Sequence, residues 1–432
     1  MGKANAKIIN DCFTMRNVQI QSWLIALSFY FTLPIFNVFS QYYFNDAWVF
    51  NKVSILVMST LFIINLPWVI KNKGRRFFYI SFIILFVLLY SYIVPLIYSF
   101  NIDVKVNNTH ILILFVFFSY FVLSRNGFDI SRLIFKPIFI IIFPVAVLYF
   151  VNPHYIQQIS AGITTLIGTN SILIDKEFRF SGFFSEPSKL AVFSGIAFFF
   201  YMDKHQRFMS LVSLFYLCLS MSKFAIIFVP LCILLSLILK SFTLLSRALI
   251  IFSFIILFLL ILLNYNDLFQ LLYHFVSYES LNTYETRFGF PIIAIMNLPY
   301  FPIGIGIFDG YRFILLDGEY TISDYCNALL QLGGNCYEMS SYSYESLADF
   351  FPKDLLSTLC YYFGFIGLIL FFIIAYQVVK KISIRKYRFT FLYIFLCLFF
   401  VTSYDYMIII LTMMILHDGE SNEGSEKMVE TC

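Results

Sequence analysis

The chain has 432 residues, of which 60% are hydrophobic, 21% aromatic and only 12% charged. A water-soluble domain carries roughly 25% charged residues, so this composition excludes an ordinary soluble globular protein. In such a chain the net charge of +4 is no nucleic-acid signal; what matters is where the lysines and arginines sit.

Apolar runs of about 20 residues, enough to cross a bilayer, recur from end to end. They lack the alternation of barrel strands, and the bilayer core requires their backbone groups to be satisfied internally. The expected fold is therefore all-α, a polytopic integral membrane protein with about twelve transmembrane helices. In chain order the spans are expected near 22–40, 49–70, 77–100, 109–124, 136–151, 187–202, 208–220, 224–239, 248–264, 356–379, 389–402 and 404–416. Residues 389–416 can be read as one tilted helix or as two short ones. An aspartate in mid-bilayer is costly, so Asp405 favours a break near Ser403–Tyr406.

Lys3, Lys7 and Arg16 place the N-terminus in the cytoplasm. That orientation puts 20 of the 29 basic residues inside, including Lys71, Arg76, Arg125, Lys204, Lys240 and Arg388, as the positive-inside rule requires. The first apolar run has no small-residue cleavage site after it, so no cleavable leader is expected. The chain then divides into residues 1–264, about nine spans with an outside segment at 152–186; residues 265–355, one large outside loop; and residues 356–432, the last spans with a cytoplasmic tail. The large loop is rich in Tyr, Gly and Ser but keeps Phe and Leu, so it reads as folded over the membrane mouth. Cys326 and Cys336 share it and are expected to pair in an oxidising compartment.

The candidate chemistry lies on the outside. Glu186 precedes Pro187, a residue suited to the first turn of a helix, and so meets the positive end of the helix dipole. It either caps that helix or stands at a cavity mouth as a base. Arg179 lies seven residues earlier and Ser188 two later. Ser220-Met-Ser-Lys223 is a tight outside turn; Lys223 either snorkels to lipid headgroups or points a cation toward Glu186. Arg287 and Arg312 belong to the large loop, around Pro302-Ile-Gly304-Ile-Gly306. Arginine's planar fork suits phosphate, so Arg179, Arg287 and Arg312 suggest a phosphate-bearing lipid substrate, with salt bridges to neighbouring carboxylates as the other reading. His154 and His274 are the outside histidines. No cysteine pair has metal-ligand spacing, and no metal or other cofactor is expected.

The ordered motifs resemble a known family. Arg179-x-x-Gly182-x-x-x-Glu186-Pro187-Ser188 is similar to the R-x-x-G-x-x-x-E-P-S segment of bacterial O-antigen and exopolysaccharide polymerases of the Wzy type. Ser220-Met-Ser222-Lys223 resembles the S-x-S-(R/K) turn that follows in that family. Arg287 with Pro302–Gly306 resembles the start of its large periplasmic loop, and Ser357-Thr-Leu with Tyr362-Phe-Gly364-Phe-Ile-Gly367 the exit from that loop. The resemblance covers roughly residues 175–370. Lys223 departs from the arginine or small residue common at its position.

The resemblance implies a multi-pass inner-membrane glycosyltransferase of the GT-C type with its active site facing the periplasm. It would join oligosaccharide repeat units carried on undecaprenyl pyrophosphate, without nucleotide sugar or metal. Expected partners are that lipid-linked oligosaccharide, membrane lipids, and a chain-length regulator and flippase, with no nucleic acid. Arg179, Arg287 and Arg312, with Lys223 and Ser188, would hold the pyrophosphate and sugar, since preorganised cations stabilise the charge of the leaving group. Arg287 counts among the catalytic residues for that reason. Glu186, or after it His274, would accept the proton of the attacking hydroxyl. An O-antigen ligase, which uses the same donor, and a flippase for the same lipid are the competing readings.

Overall fold

The computed structural model describes residues 2–33, 49–98, 108–126, 128–159, 179–184, 186–240, 289–306, 314–316, 318–331, 339–340, 354–383, 387–400 and 406–418, with positions 36, 43, 44, 253 and 336. Among them the architecture is helical, and the only β pairing is a single bridge between Phe128 and Asp418. The helices are α1 (Gly2–Phe31), α2 (Val49–Ile97), α3 (Asn108–Asn126), α4 (Lys136–Val151, entered through a π turn at Ser131–Phe135), α5 (Pro187–Asp203), α6 (Arg207–Leu219), α7 (Lys223–Lys240), α8 (Ile322–Gln331), α9 (Leu355–Phe363), α10 (Phe365–Ser383), α11 (Arg388–Phe400) and α12 (Tyr406–Leu416). The span expected at 248–264 lies outside the described residues except for position 253.

Among the described residues two stretches are long and apolar enough to cross a membrane, Val49–Val94 and Ser131–Val151. The first is not one straight rod. Lys73 leaves helical geometry (φ −131°, ψ 16°), and the rings of Phe62 and Phe77 lie 6.0 Å apart. Fifteen residues of straight helix would separate them by about 22 Å, so α2 bends back at the Lys71-Asn-Lys-Gly-Arg-Arg76 stretch. Its two arms correspond to the spans expected at 49–70 and 77–100. Large apolar residues cover the outside of the second arm, among them Phe78, Phe82, Phe86 and Leu96, each more than half exposed.

Helix α5 is the centre of the bundle. Every residue from Leu190 to Tyr201 is buried, as expected of a helix that is apolar all round. Helices α6, α7 and α11 pack around it. The packing is aromatic: Phe135 meets Phe193 and Phe200, Phe139 stacks on Tyr216 at 4.9 Å, and Phe199 meets Tyr393 at 5.0 Å. Gly195 leaves room for the Tyr393 ring, which stands where a side chain at 195 would go.

The bundle has a basic end, where Arg125, Lys204 and Arg388 gather. Asn65 joins α2 to Gln21 of α1 at 3.2 Å and accepts from Arg125 of α3. Asp203 closes the start of α11, accepting from the N–H groups of Phe389 (3.3 Å) and Thr390 (3.0 Å) and from the Thr390 hydroxyl (2.7 Å). Asp418, beyond α12, pairs with Lys204 at 2.6 Å and accepts from the Tyr387 hydroxyl at 2.6 Å and Ile130 N–H at 3.3 Å. Burial first, and then its bond to Asp418, raises the pKa of that hydroxyl. Because Asp418 returns to the residue that precedes α11, helices α11 and α12 go out and come back.

Candidate functional site

At the opposite end the chain enters α5 through a tight turn. Phe184 N–H donates to Ser181 C=O at 3.1 Å, and Gly182 takes φ +58°, a left-handed conformation that glycine adopts without a Cβ penalty. Buried Phe180 and Phe184 anchor the turn against Tyr149 of α4 and Phe193 of α5, at ring distances of 5.4 and 5.2 Å. Glycine and phenylalanine thus hold Arg179, partly exposed, and Glu186, exposed, at the head of the central helix.

Glu186 stands at the N-cap position, but its side chain makes no cap hydrogen bond. Its Oε2 accepts instead from the Ser188 hydroxyl at 3.0 Å. Of the two readings open in the sequence, side-chain capping is not what the structure has. The carboxylate faces outward at the positive end of the helix dipole, where it can accept a hydrogen bond from a hydroxyl-bearing ligand. Lys223 is the first residue of α7, after the turn Ser220–Ser222, in which both serines are buried and Met221 has φ +45°. Helices α5 and α6 run antiparallel through the short 204–206 turn, so the starts of α5 and α7 share one end of the bundle.

Residues 302–306 of the large loop meet residues 361–365, just past its exit, at that same end. Ile305 and Gly306 donate their N–H groups to the carbonyls of Tyr361 (2.8 Å) and Tyr362 (3.1 Å), and Phe365 donates to Pro302 at 2.9 Å. Gly304 (φ +70°) and Gly364 (φ +59°) face each other across this junction, and a Cβ on either would strike the other strand's backbone. Tyr90 of α2 donates to Ile303 C=O. The expected span 356–379 is accordingly two helices, α9 and α10, broken at Gly364.

Within the loop, Asn297 imitates a backbone ladder, donating to Tyr320 C=O at 2.7 Å and accepting from Tyr320 N–H at 3.2 Å. Thr321 and Asp324 form a capping box at the start of α8. Bonds from the Thr321 hydroxyl and N–H hold the Asp324 carboxyl below its ordinary range. Cys326 and Cys336 are disulfide-bonded with Cα atoms 5.4 Å apart. The described parts of the loop are folded, with Ile293, Ile305, Leu315, Tyr325, Leu329 and Met339 all buried.

The structure therefore joins Glu186 to Ser188 directly and places Arg179 and the backbone of Lys223 at the same end of the bundle. The side chain of Lys223, and Arg287, Arg312 and His274 altogether, lie outside what it describes. His154 is exposed, beyond the end of α4. Sequence reading passed over Asp354, which is 2% exposed and caps α9 through Ser357 N–H at 2.7 Å and the Ser357 hydroxyl. Its signal was present as an Asp-x-x-Ser helix start. Tyr361, fully buried with its hydroxyl on Phe290 C=O at 3.1 Å, was also missed. Among the described residues no group of three or more His, Cys, Asp or Glu could hold a metal. No family model, no curated protein and no solved structure matches the chain.

Proposed function

We propose that this protein is a polytopic bacterial inner-membrane glycosyltransferase that polymerises oligosaccharide repeat units carried on undecaprenyl pyrophosphate. The observation that carries the reading is the junction at the head of the bundle. Gly304 and Gly364 lie sixty positions apart in the sequence, yet their motifs are laid backbone to backbone at the end where Arg179, Glu186 and Ser188 stand. Among the described residues helices lie wholly or partly within eleven of the twelve expected spans, and the apolar exterior of α2 suits lipid rather than water.

In the proposed reaction the anomeric C–O bond to the lipid pyrophosphate breaks and a new C–O bond forms to a sugar hydroxyl of a second lipid-linked unit. The electron pair of the broken bond leaves with pyrophosphate, held by Arg179, Arg287, Arg312 and Lys223. The hydroxyl proton passes to Glu186, with His274 as the second choice of base. Nothing in this balance calls for nucleotide sugar or metal.

Complementation of a polymerase-null strain with wild type, Glu186→Ala and Arg287→Ala tests the reading on a polysaccharide gel. A full ladder from wild type and single-repeat molecules from both variants, at equal membrane levels, is the expected result. Bare core without repeats would point to a ligase or flippase. Unaltered ladders in the variants would remove both residues from the site.

A further inference from the structure

Most cations at the basic end of the bundle have a protein group to sit against. Arg125 is held by Asn65 and lies over Trp68, Lys204 is paired with Asp418, and Arg388 lies over the Phe389 ring at 4.6 Å. At the bend of α2 the case is different. Lys71, Lys73, Arg75 and Arg76 put four cations within six residues. Among the described residues none of their side chains meets a carboxylate, another hydrogen-bond acceptor or a ring. No Asp or Glu lies between Asp46 and Asp103, so neither arm of α2 can supply an anion.

The backbone adds to this excess of positive charge. Lys73 leaves helical geometry, so the second arm begins anew at Gly74, with Arg75 and Arg76 in its first turn. There they meet the positive end of the helix dipole, an arrangement that costs stability unless an anion offsets it. Space for one exists, since a side chain added at Gly74 would meet nothing within 4 Å. Farther along the arm Phe78, Phe82 and Phe86 recur every four residues and are 65%, 69% and 59% exposed. They form one apolar stripe that starts a turn beyond the cations.

We infer that the bend of α2 is a binding site for an anionic phospholipid, its phosphate held by Lys71, Lys73, Arg75 and Arg76 and its acyl chains laid along Phe78, Phe82 and Phe86. The two halves of such a molecule match the two halves of the site: a charged headgroup over unpaired cations, hydrocarbon over exposed rings. The forked donors of the two arginines suit phosphate oxygens. A zwitterionic headgroup brings its own ammonium against these cations and gains less. A second copy of this chain in the same membrane orientation would cover the stripe, but it would set the same four cations at the same level and add repulsion. The site lies at the opposite end of the bundle from Glu186 and does not depend on the reaction proposed above.

Native mass spectrometry of the full-length protein in detergent, titrated with phosphatidylglycerol or with phosphatidylethanolamine, tests this. Each cation beside an anionic headgroup is worth roughly fivefold in binding. Wild type should therefore bind phosphatidylglycerol at least about tenfold more tightly than phosphatidylethanolamine, and Lys71→Gln/Lys73→Gln/Arg75→Gln/Arg76→Gln should lose that preference. Arg132→Gln/Lys136→Gln/Arg207→Gln/Lys380→Gln, which removes as many exposed cations elsewhere, should keep it. Gly74→Glu supplies an internal carboxylate at the positive end of the dipole, so it should weaken phosphatidylglycerol binding while raising thermal stability. No preference in wild type, a preference that survives in the bend variant, or equal losses in the two quadruple variants overturns the proposal. Gly74→Glu keeps the test decisive even where the bend variant does not fold, because unchanged phosphatidylglycerol binding in it also overturns the proposal.

Discussion

Asp418 and Lys204 form an ion pair whose two members are not equivalent. The carboxylate is 2% exposed and the lysine side chain 28%, with its ammonium 4.6 Å from the centre of the Phe200 ring. A lysine that loses its partner can turn to water; the buried carboxylate cannot, and must rely on donors such as the Tyr387 hydroxyl and Ile130 N–H. Lys204→Ala should therefore be the worse change, about 3 kcal/mol of stability by analogy with broken buried pairs. Asp418→Ala should cost about 1–2 kcal/mol, from the lost bonds of Tyr387 and Ile130. Thermal unfolding of the purified protein in detergent checks the order, and equal losses would show that the carboxylate is solvated after all. A cluster of basic residues at the ends of apolar runs was legible in the sequence. That an aspartate from the start of the C-terminal tail would be buried among them was not, because the pattern of one segment does not say which other segment it meets.

Among elements, α5 and the junction at Gly304 and Gly364 fail in different ways when altered. On α5 the neighbour of Gly195 is a ring. Gly195→Ala forces Tyr393 aside, an overpacking worth about 1–3 kcal/mol, and Tyr393→Leu in the same chain should recover much of it. Strict additivity in thermal unfolding would place the strain elsewhere. At the junction the neighbour is backbone, so no second substitution can rescue. Gly304→Ala also loses the left-handed conformation, about 1–2 kcal/mol by itself, and should expose the Ile305 and Gly306 amides to hydrogen exchange while leaving α5 protected. Protected amides in that variant would mean that the close approach is not needed. The helices themselves were readable because long apolar runs leave the backbone little choice. The junction was not, because two glycines in separate motifs give no sign that they touch. The break at Gly364 escaped for the same reason: at its φ of +59° the residue lies so close to the Pro302 carbonyl, from the other motif, that a Cβ would strike it. The site is legible in a similar proportion, with Glu186 and Ser188 placed by a motif, Asp354 signalled by an Asp-x-x-Ser helix start, and Tyr361 visible only once α9 meets Phe290.

For the whole molecule the decisive question is how often the chain crosses the bilayer, and α2 decides most of it. Taken as one uninterrupted helix it would be a single span; bent at Lys73 it has two arms, each long enough to be one. Each arm has 24 residues, Val49–Asn72 and Gly74–Ile97, or about 36 Å against a hydrocarbon core of about 30 Å. The second arm ends where Tyr98 meets Phe301, ring centres 5.4 Å apart, and Tyr90 holds Ile303, at the loop end of the bundle. The bend itself sits toward the basic end, since Arg125 lies over Trp68 at 5.9 Å. Gly74 and Tyr300 should therefore lie on opposite faces of the membrane. A cysteine at Gly74 meets nothing within 4 Å, and Tyr300 is 55% exposed, so both can be labelled without disturbing the fold. With Cys12, Cys218 and Cys432 replaced by serine, Tyr300→Cys should react with a membrane-impermeant maleimide in spheroplasts. Gly74→Cys should react only once the membrane is opened. Labelling of both from outside would mean that the second arm does not cross, and every later span, with the orientation of Glu186, would have to be reassigned.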